Sequence, residues 1–82
     1  MRITVECYGV LSEVCGATEQ QIELPAGVGD VAAVLATLAA GTPGLAAHLP
    51  HTAVARGDTL LARAAAVSDG DRLALIPPVS GG

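Results

Sequence analysis

The chain has 82 residues, 51% of them hydrophobic and 15% charged, with a formal net charge of −4. That length holds one small domain, the apolar content excludes disorder, and four arginines against eight acids, with Tyr8 as the single aromatic, exclude a nucleic-acid binder. The longest uncharged stretch, between Asp30 and Arg56, is broken by Gly41, Pro43, Gly44, Pro50 and two histidines, so no membrane-spanning helix fits there.

Residues Arg2 to Tyr8 alternate, with Ile3, Val5 and Cys7 on one face and Thr4, Glu6 and Tyr8 on the other, which predicts a half-buried strand. The same N-terminal run has no apolar signal-peptide core, so the cytoplasm is the expected location and Cys7 and Cys15 are expected as reduced, buried thiols. Val10 to Cys15 reads as a short helical turn closed by Gly16. Thr18 to Leu24 alternates again and is expected to pair antiparallel with the first strand across a nine-residue connection. Asp30 then caps a helix whose Val31, Val34, Leu35 and Leu38 share one stripe, and Gly41 and Pro43 end it. Leu45 and Leu49 are expected to tuck onto the core. Thr52–Arg56 and Thr59–Arg63 form a hairpin around Gly57-Asp58, and Asp69-Gly70-Asp71 turns into a last strand, Arg72–Ile76, that Pro77-Pro78 stops. The order β, β, α, β, β, β predicts an α+β domain over residues 1–76, one mixed sheet with a main helix packed on one face, followed by a flexible tail over residues 77–82.

The sequence offers little to a catalytic reading. Cys7, Cys15, His48 and His51 include no Cys-x-x-Cys pair, so no metal site is expected. Ser12, Ser68 and Ser80 lack a nucleophile motif, and no phosphate-binding glycine loop occurs. What remains is the segment Pro77-Pro78-Val79-Ser80-Gly81-Gly82. Two prolines stiffen the strand's exit, slim residues follow, and two glycines without Cβ atoms can thread a channel too narrow for other residues. A carboxylate on Gly82 is inert until an enzyme makes it an acyl-adenylate, after which sulfur attack gives a thiocarboxylate and amine attack an amide.

This ending resembles that of the ubiquitin-like sulfur carriers of the MoaD/ThiS type, and most of all the small subunit of molybdopterin synthase. Tyr8-Gly9-Val10-Leu11-Ser12-Glu13-Val14-Cys15-Gly16 is similar to the segment that follows the first strand in that family, and Asp69 through Gly82 is similar to its closing pattern. Two departures stand out: Ser12 replaces the usual arginine, and Arg56-Gly57-Asp58 replaces a turn that usually carries asparagine. The resemblance implies a β-grasp fold and a protein that is not an enzyme on its own. It implies that an E1-like adenylyltransferase, using ATP, activates Gly82, and that a sulfur donor such as a cysteine desulfurase or rhodanese supplies the thiocarboxylate sulfur. No cofactor is expected to be bound by the chain itself. The tail Pro77, Pro78, Val79, Ser80 and Gly81 would then thread into the synthase's large subunit, where sulfur passes to the cyclic pyranopterin precursor of molybdopterin. Sulfur carriage for thiamine-thiazole, cysteine or tRNA thiolation, and ubiquitin-like protein modification, are the alternatives.

Strand parity suggests where a partner docks. Tyr8 shares the parity of Thr4 and Glu6, Ile76 falls opposite the inward Leu73 and Leu75, and Leu60-Leu61 must send one leucine each way. The resemblance places partner contacts at Tyr8, Leu60 and Ile76, on the sheet face that the helix leaves open.

Overall fold

The computed structural model describes residues 1–25, 27 and 29–78. Its elements run β1 (Arg2–Cys7), α1 (Val10–Cys15), β2 (Glu19–Glu23), α2 (Val31–Gly41), a 3-10 turn (Leu49–His51), β3 (Ala53–Arg56), β4 (Thr59–Leu61) and β5 (Arg72–Ile76). The five strands make one sheet in the order β2-β1-β5-β3-β4. β1 and β5 are parallel in the centre, and every other pairing is antiparallel. This is the expected β-grasp arrangement. The β1–β2 connection spans residues 8–18, longer than expected, because the regular ladder stops at Cys7 and restarts at Glu19.

The alternation in β1 becomes a strict burial pattern: Ile3, Val5 and Cys7 are buried, and so are Leu73 and Leu75 beside them on β5. Against this face lie Val31, Val34, Leu35 and Leu38 of α2, with Leu11, Leu45 and Leu49 closing the edges. Each fully buried leucine contributes roughly 1.5–3 kcal/mol relative to exposure. With one aromatic residue in the chain, this core is held by aliphatic packing.

α2 starts where capping chemistry directs it. The Asp30 carboxylate accepts from the Ala33 N–H at 2.8 Å. The Val31 and Ala32 N–H groups donate to the carbonyls of Ala65 and Arg63 at 3.0 and 2.9 Å. The free donors of the first turn are therefore paired, partly by a loop more than a strand away. Arg63 fixes that loop in turn, donating from Nη2 to the carbonyls of Leu49 and Thr52, both at 2.8 Å. The β3–β4 hairpin turns on Gly57 at φ 60, a positive φ that a two-residue hairpin loop requires and glycine supplies without a Cβ clash. That requirement accounts for Gly57 in a turn that departs from the family pattern. No described helix is long and apolar enough to cross a membrane.

Candidate functional site: the open sheet face and the root of the tail

The sheet has one face packed on α2 and one without a helix. Cross-strand register carries a row over the open face through all five strands: Glu19, Glu6, Ala74, Ala55 and Leu60. The next row brings Ile76 beside Ala53, and Tyr8 follows Cys7 where β1 runs alongside Leu75. The four large hydrophobic residues exposed on the described surface are Tyr8 (50%), Val10 (44%), Leu60 (70%) and Ile76 (39%). Tyr8 and Ile76 therefore stand exposed, as parity required, and of the two adjacent leucines it is Leu60 that faces out while Leu61 packs partly against the core. Val10 was not read from the sequence. No signal in the sequence assigns it, because a six-residue helix is too short for periodicity to fix its faces.

Charge borders the apolar residues. Arg72 donates from Nη1 to Glu6 at 2.9 Å and to Glu19 at 2.6 Å, bridging β5, β1 and β2. The Tyr8 hydroxyl donates to the other Glu6 oxygen at 2.9 Å. Tyr8 first and Arg72 second hold the Glu6 carboxyl below its usual range, because each favours the carboxylate. The same bond raises the Tyr8 hydroxyl, since the phenolate would face Glu6 without its proton. Arg72 is likewise raised, first by Glu19 and then by Glu6. A cleft of about 230 Å³ opens beside this network, lined by Glu6, Cys7, Tyr8, Thr18 and Glu19. The effect is to fix the tyrosine ring at the border between an apolar surface and an acidic one.

The root of the tail is seated here too. Pro77 is half-buried and Pro78 exposed, directly after β5. Gly9 adopts φ 56, ψ −134, and a Cβ at that position would lie 3.2 Å from Pro77 Cγ. Glycine is thus required twice, by its backbone and by the proline against it. Ser12 holds the same loop, its Oγ donating to the Gly9 carbonyl at 2.7 Å. That is a local role for the residue standing where the family usually has arginine. Gly9→Ala is expected to destabilise the domain by roughly 2 kcal/mol, through positive-φ strain and displacement of Pro77, as measured by urea unfolding. An unchanged midpoint would refute the role given to Gly9. Val79, Ser80, Gly81 and Gly82, the other tail positions predicted to carry function, lie outside the described residues.

His48 is half-buried, and its carbonyl accepts from Thr52 Oγ1 at 2.7 Å, while His51 is exposed on the 3-10 turn. Among the described residues no three His, Cys, Asp or Glu side chains gather as a metal ion would require.

The fold recurs in known proteins. The ThiS family model matches residues 5–82. SAMP1 from Haloferax volcanii is 29% identical, with a TM-score of 0.88 and 100% of both chains covered. The HVO 2177 protein of Haloferax volcanii is 30% identical over 100% of this chain and 87% of its own, with a TM-score of 0.83. A chain from the complex of subunits 1 and 2 of molybdopterin-converting factor of Helicobacter pylori 26695 is 26% identical, with 100% of both chains covered and a TM-score of 0.69. With nearly its whole length matched to the family and its five-stranded sheet shared with these structures, the chain belongs to the ThiS family of ubiquitin-like sulfur carriers and modifiers.

Proposed function

We propose that this protein carries sulfur as a thiocarboxylate on Gly82 and delivers it within a molybdopterin synthase. The observation that carries the reading is the exposed group Tyr8, Val10 and Ile76 at the point where β5 gives way to Pro77 and Pro78. A partner that grips this surface holds the tail's root, so the chain beyond it enters the partner at a defined place. The likeness to a chain of the Helicobacter pylori converting-factor complex supports a large subunit as that partner.

The chemistry follows from a carboxylate's low reactivity. An E1-like adenylyltransferase joins Gly82 to AMP and releases pyrophosphate from ATP. The outer sulfur of a persulfide donor then displaces AMP to give an acyl disulfide. A second thiol of the donor attacks the donor-side sulfur, which frees the thiocarboxylate and leaves the donor oxidised as a disulfide. The thiocarboxylate is a soft nucleophile where a carboxylate is a poor one. Seated in the large subunit and shielded from water, it transfers its sulfur to the cyclic pyranopterin precursor. The domain supplies docking and reach, and the partner supplies the reacting pocket.

A second reading, attachment of Gly82 to lysines of other proteins, is supported by the likeness to a small archaeal modifier protein. The activated acyl-adenylate is common to both, and the fates diverge at the attacking atom. Intact-mass measurement on protein isolated from its own host separates them. The sulfur-carrier reading expects a species with sulfur in place of one carboxylate oxygen. Isopeptide remnants of this tail on other proteins, without that species, would overturn it in favour of the modifier.

A further inference from the structure

Two thiols that the docking surface does not use lie against each other beneath it. The Sγ atoms of Cys7 and Cys15 are 3.1 Å apart. That is closer than the about 3.5–4.0 Å at which even smaller carbon atoms pack, yet both cysteines are free. Each is held by its own backbone anchor. The Cys7 N–H donates to the Thr18 carbonyl at 2.9 Å, and the Cys15 carbonyl accepts from Gln20 Nε2 at 3.2 Å. The two thiols are therefore brought together by the closure of the β1–β2 connection, and their contact is a tertiary one.

We propose that Cys7 and Cys15 form a reversible intramolecular disulfide on exposure to a hydroperoxide. The two positions divide the work. Cys7 is buried in the core, whereas Cys15 is half-buried at the end of α1 and is the one an oxidant reaches first. Burial, reinforced by the neighbouring Cys15, pushes the Cys7 thiol up to about 12, so it does not compete for the oxidant. The Cys15 thiolate attacks one peroxide oxygen and the O–O bond breaks. The departing oxygen takes a proton and leaves as water or an alcohol, and Cys15 becomes a sulfenic acid. The Cys7 sulfur then attacks the Cys15 sulfur. Hydroxide leaves with the proton that Cys7 gives up, as water, and the S–S bond closes. Two thiols lose two electrons and two protons, and one O–O bond is reduced. Closure needs an approach of roughly 1 Å to reach the 2.03–2.05 Å of a disulfide, within what a side-chain rotation and a small shift of a six-residue helix can supply.

The ring so closed contains Tyr8, Gly9 and Val10, which are the docking residues and the seat of Pro77. α1 otherwise begins at Gly9 without a side-chain cap. Oxidation would therefore stiffen the segment that presents the partner surface, which gives the carrier a redox-dependent docking element.

The test uses the full-length protein, treated with one equivalent of hydrogen peroxide and then alkylated under denaturing conditions. The expected product has lost two hydrogen atoms and takes up no alkylating group. A peptide linking Cys7 to Cys15 is recovered from it, and dithiothreitol restores both thiols. Its thermal midpoint rises by about 10 °C over the reduced protein, because the cross-link removes freedom from the unfolded chain. Cys15→Ser shows no peroxide-induced rise. Sulfinic acid at Cys15 with Cys7 still open to alkylation would overturn the proposal, as would disulfides linking two chains. The comparison of oxidised with reduced wild-type protein stands even if the serine variant folds poorly.

Discussion

Deleting Gly82, or adding one residue after it, is expected to leave the domain folded and to abolish sulfur transfer. One residue of extended chain moves the carboxylate by about 3.5 Å. A displacement of about 1 Å from a productive geometry already costs on the order of 100-fold in rate, so a shift several times larger takes transfer below detection. The adenylation step suffers equally, because the same carboxylate must meet ATP in the activating enzyme. Stability should change by no more than about 0.5 kcal/mol, since among the described residues the core lies between Ile3 and Leu75. The measurements are thiocarboxylate formation by intact mass in the presence of activating enzyme, ATP and sulfur donor, and thermal unfolding of each variant. Normal thiocarboxylate on the shortened chain would show that Gly82 is not the carrying residue.

The second large effect concerns docking. Tyr8→Arg places a charge in the middle of the surface proposed to meet the large subunit, and Leu60→Asp does so at the far end of the five-strand row. Each is expected to weaken binding by at least about 30-fold, which corresponds to roughly 2 kcal/mol at a buried interface position. Both residues are exposed in the free domain, so the unfolding midpoint should hold. Isothermal titration against the large subunit, paired with urea unfolding, reads both quantities. Full affinity in both variants would move the interface elsewhere. Loss of folding in Tyr8→Arg would mean that its bond to Glu6 organises the β1 end more than an exposed contact should.

These two expectations come from different levels of description. The tail is a chemical statement that needs no fold: prolines that end pairing, glycines that pass a narrow channel, a carboxylate to be activated. The docking surface began as parity, since a strand sends alternate side chains to opposite faces. Parity placed Tyr8 and Ile76 outward and left the choice between Leu60 and Leu61 open; Tyr8, Ile76 and Leu60 are the exposed ones. It could not place them across the sheet, because position along a sheet depends on strand order and register; the order sets Tyr8 and Ile76 on neighbouring strands and Leu60 on the far edge. Val10 went unread for a related reason, as a six-residue helix is too short for periodicity to assign its faces.

The sequence by itself determined most of the elements, the buried faces of β1, α2 and β5, the cap at Asp30 and the chemistry available to the tail, because these follow from local stereochemistry and from burial at fixed periods. The tertiary structure alone decided the assembly. The parallel pairing of Cys7 with Leu75 brings the end of the first strand to the end of the last, so that Tyr8 and Val10 follow the one where Ile76 and the tail follow the other. The same pairing sets Gly9 against Pro77, and closure of the β1–β2 connection sets Cys7 against Cys15. A slip of one residue in that register would turn one strand's set to the wrong face, and the buried core, not any local preference, forbids it.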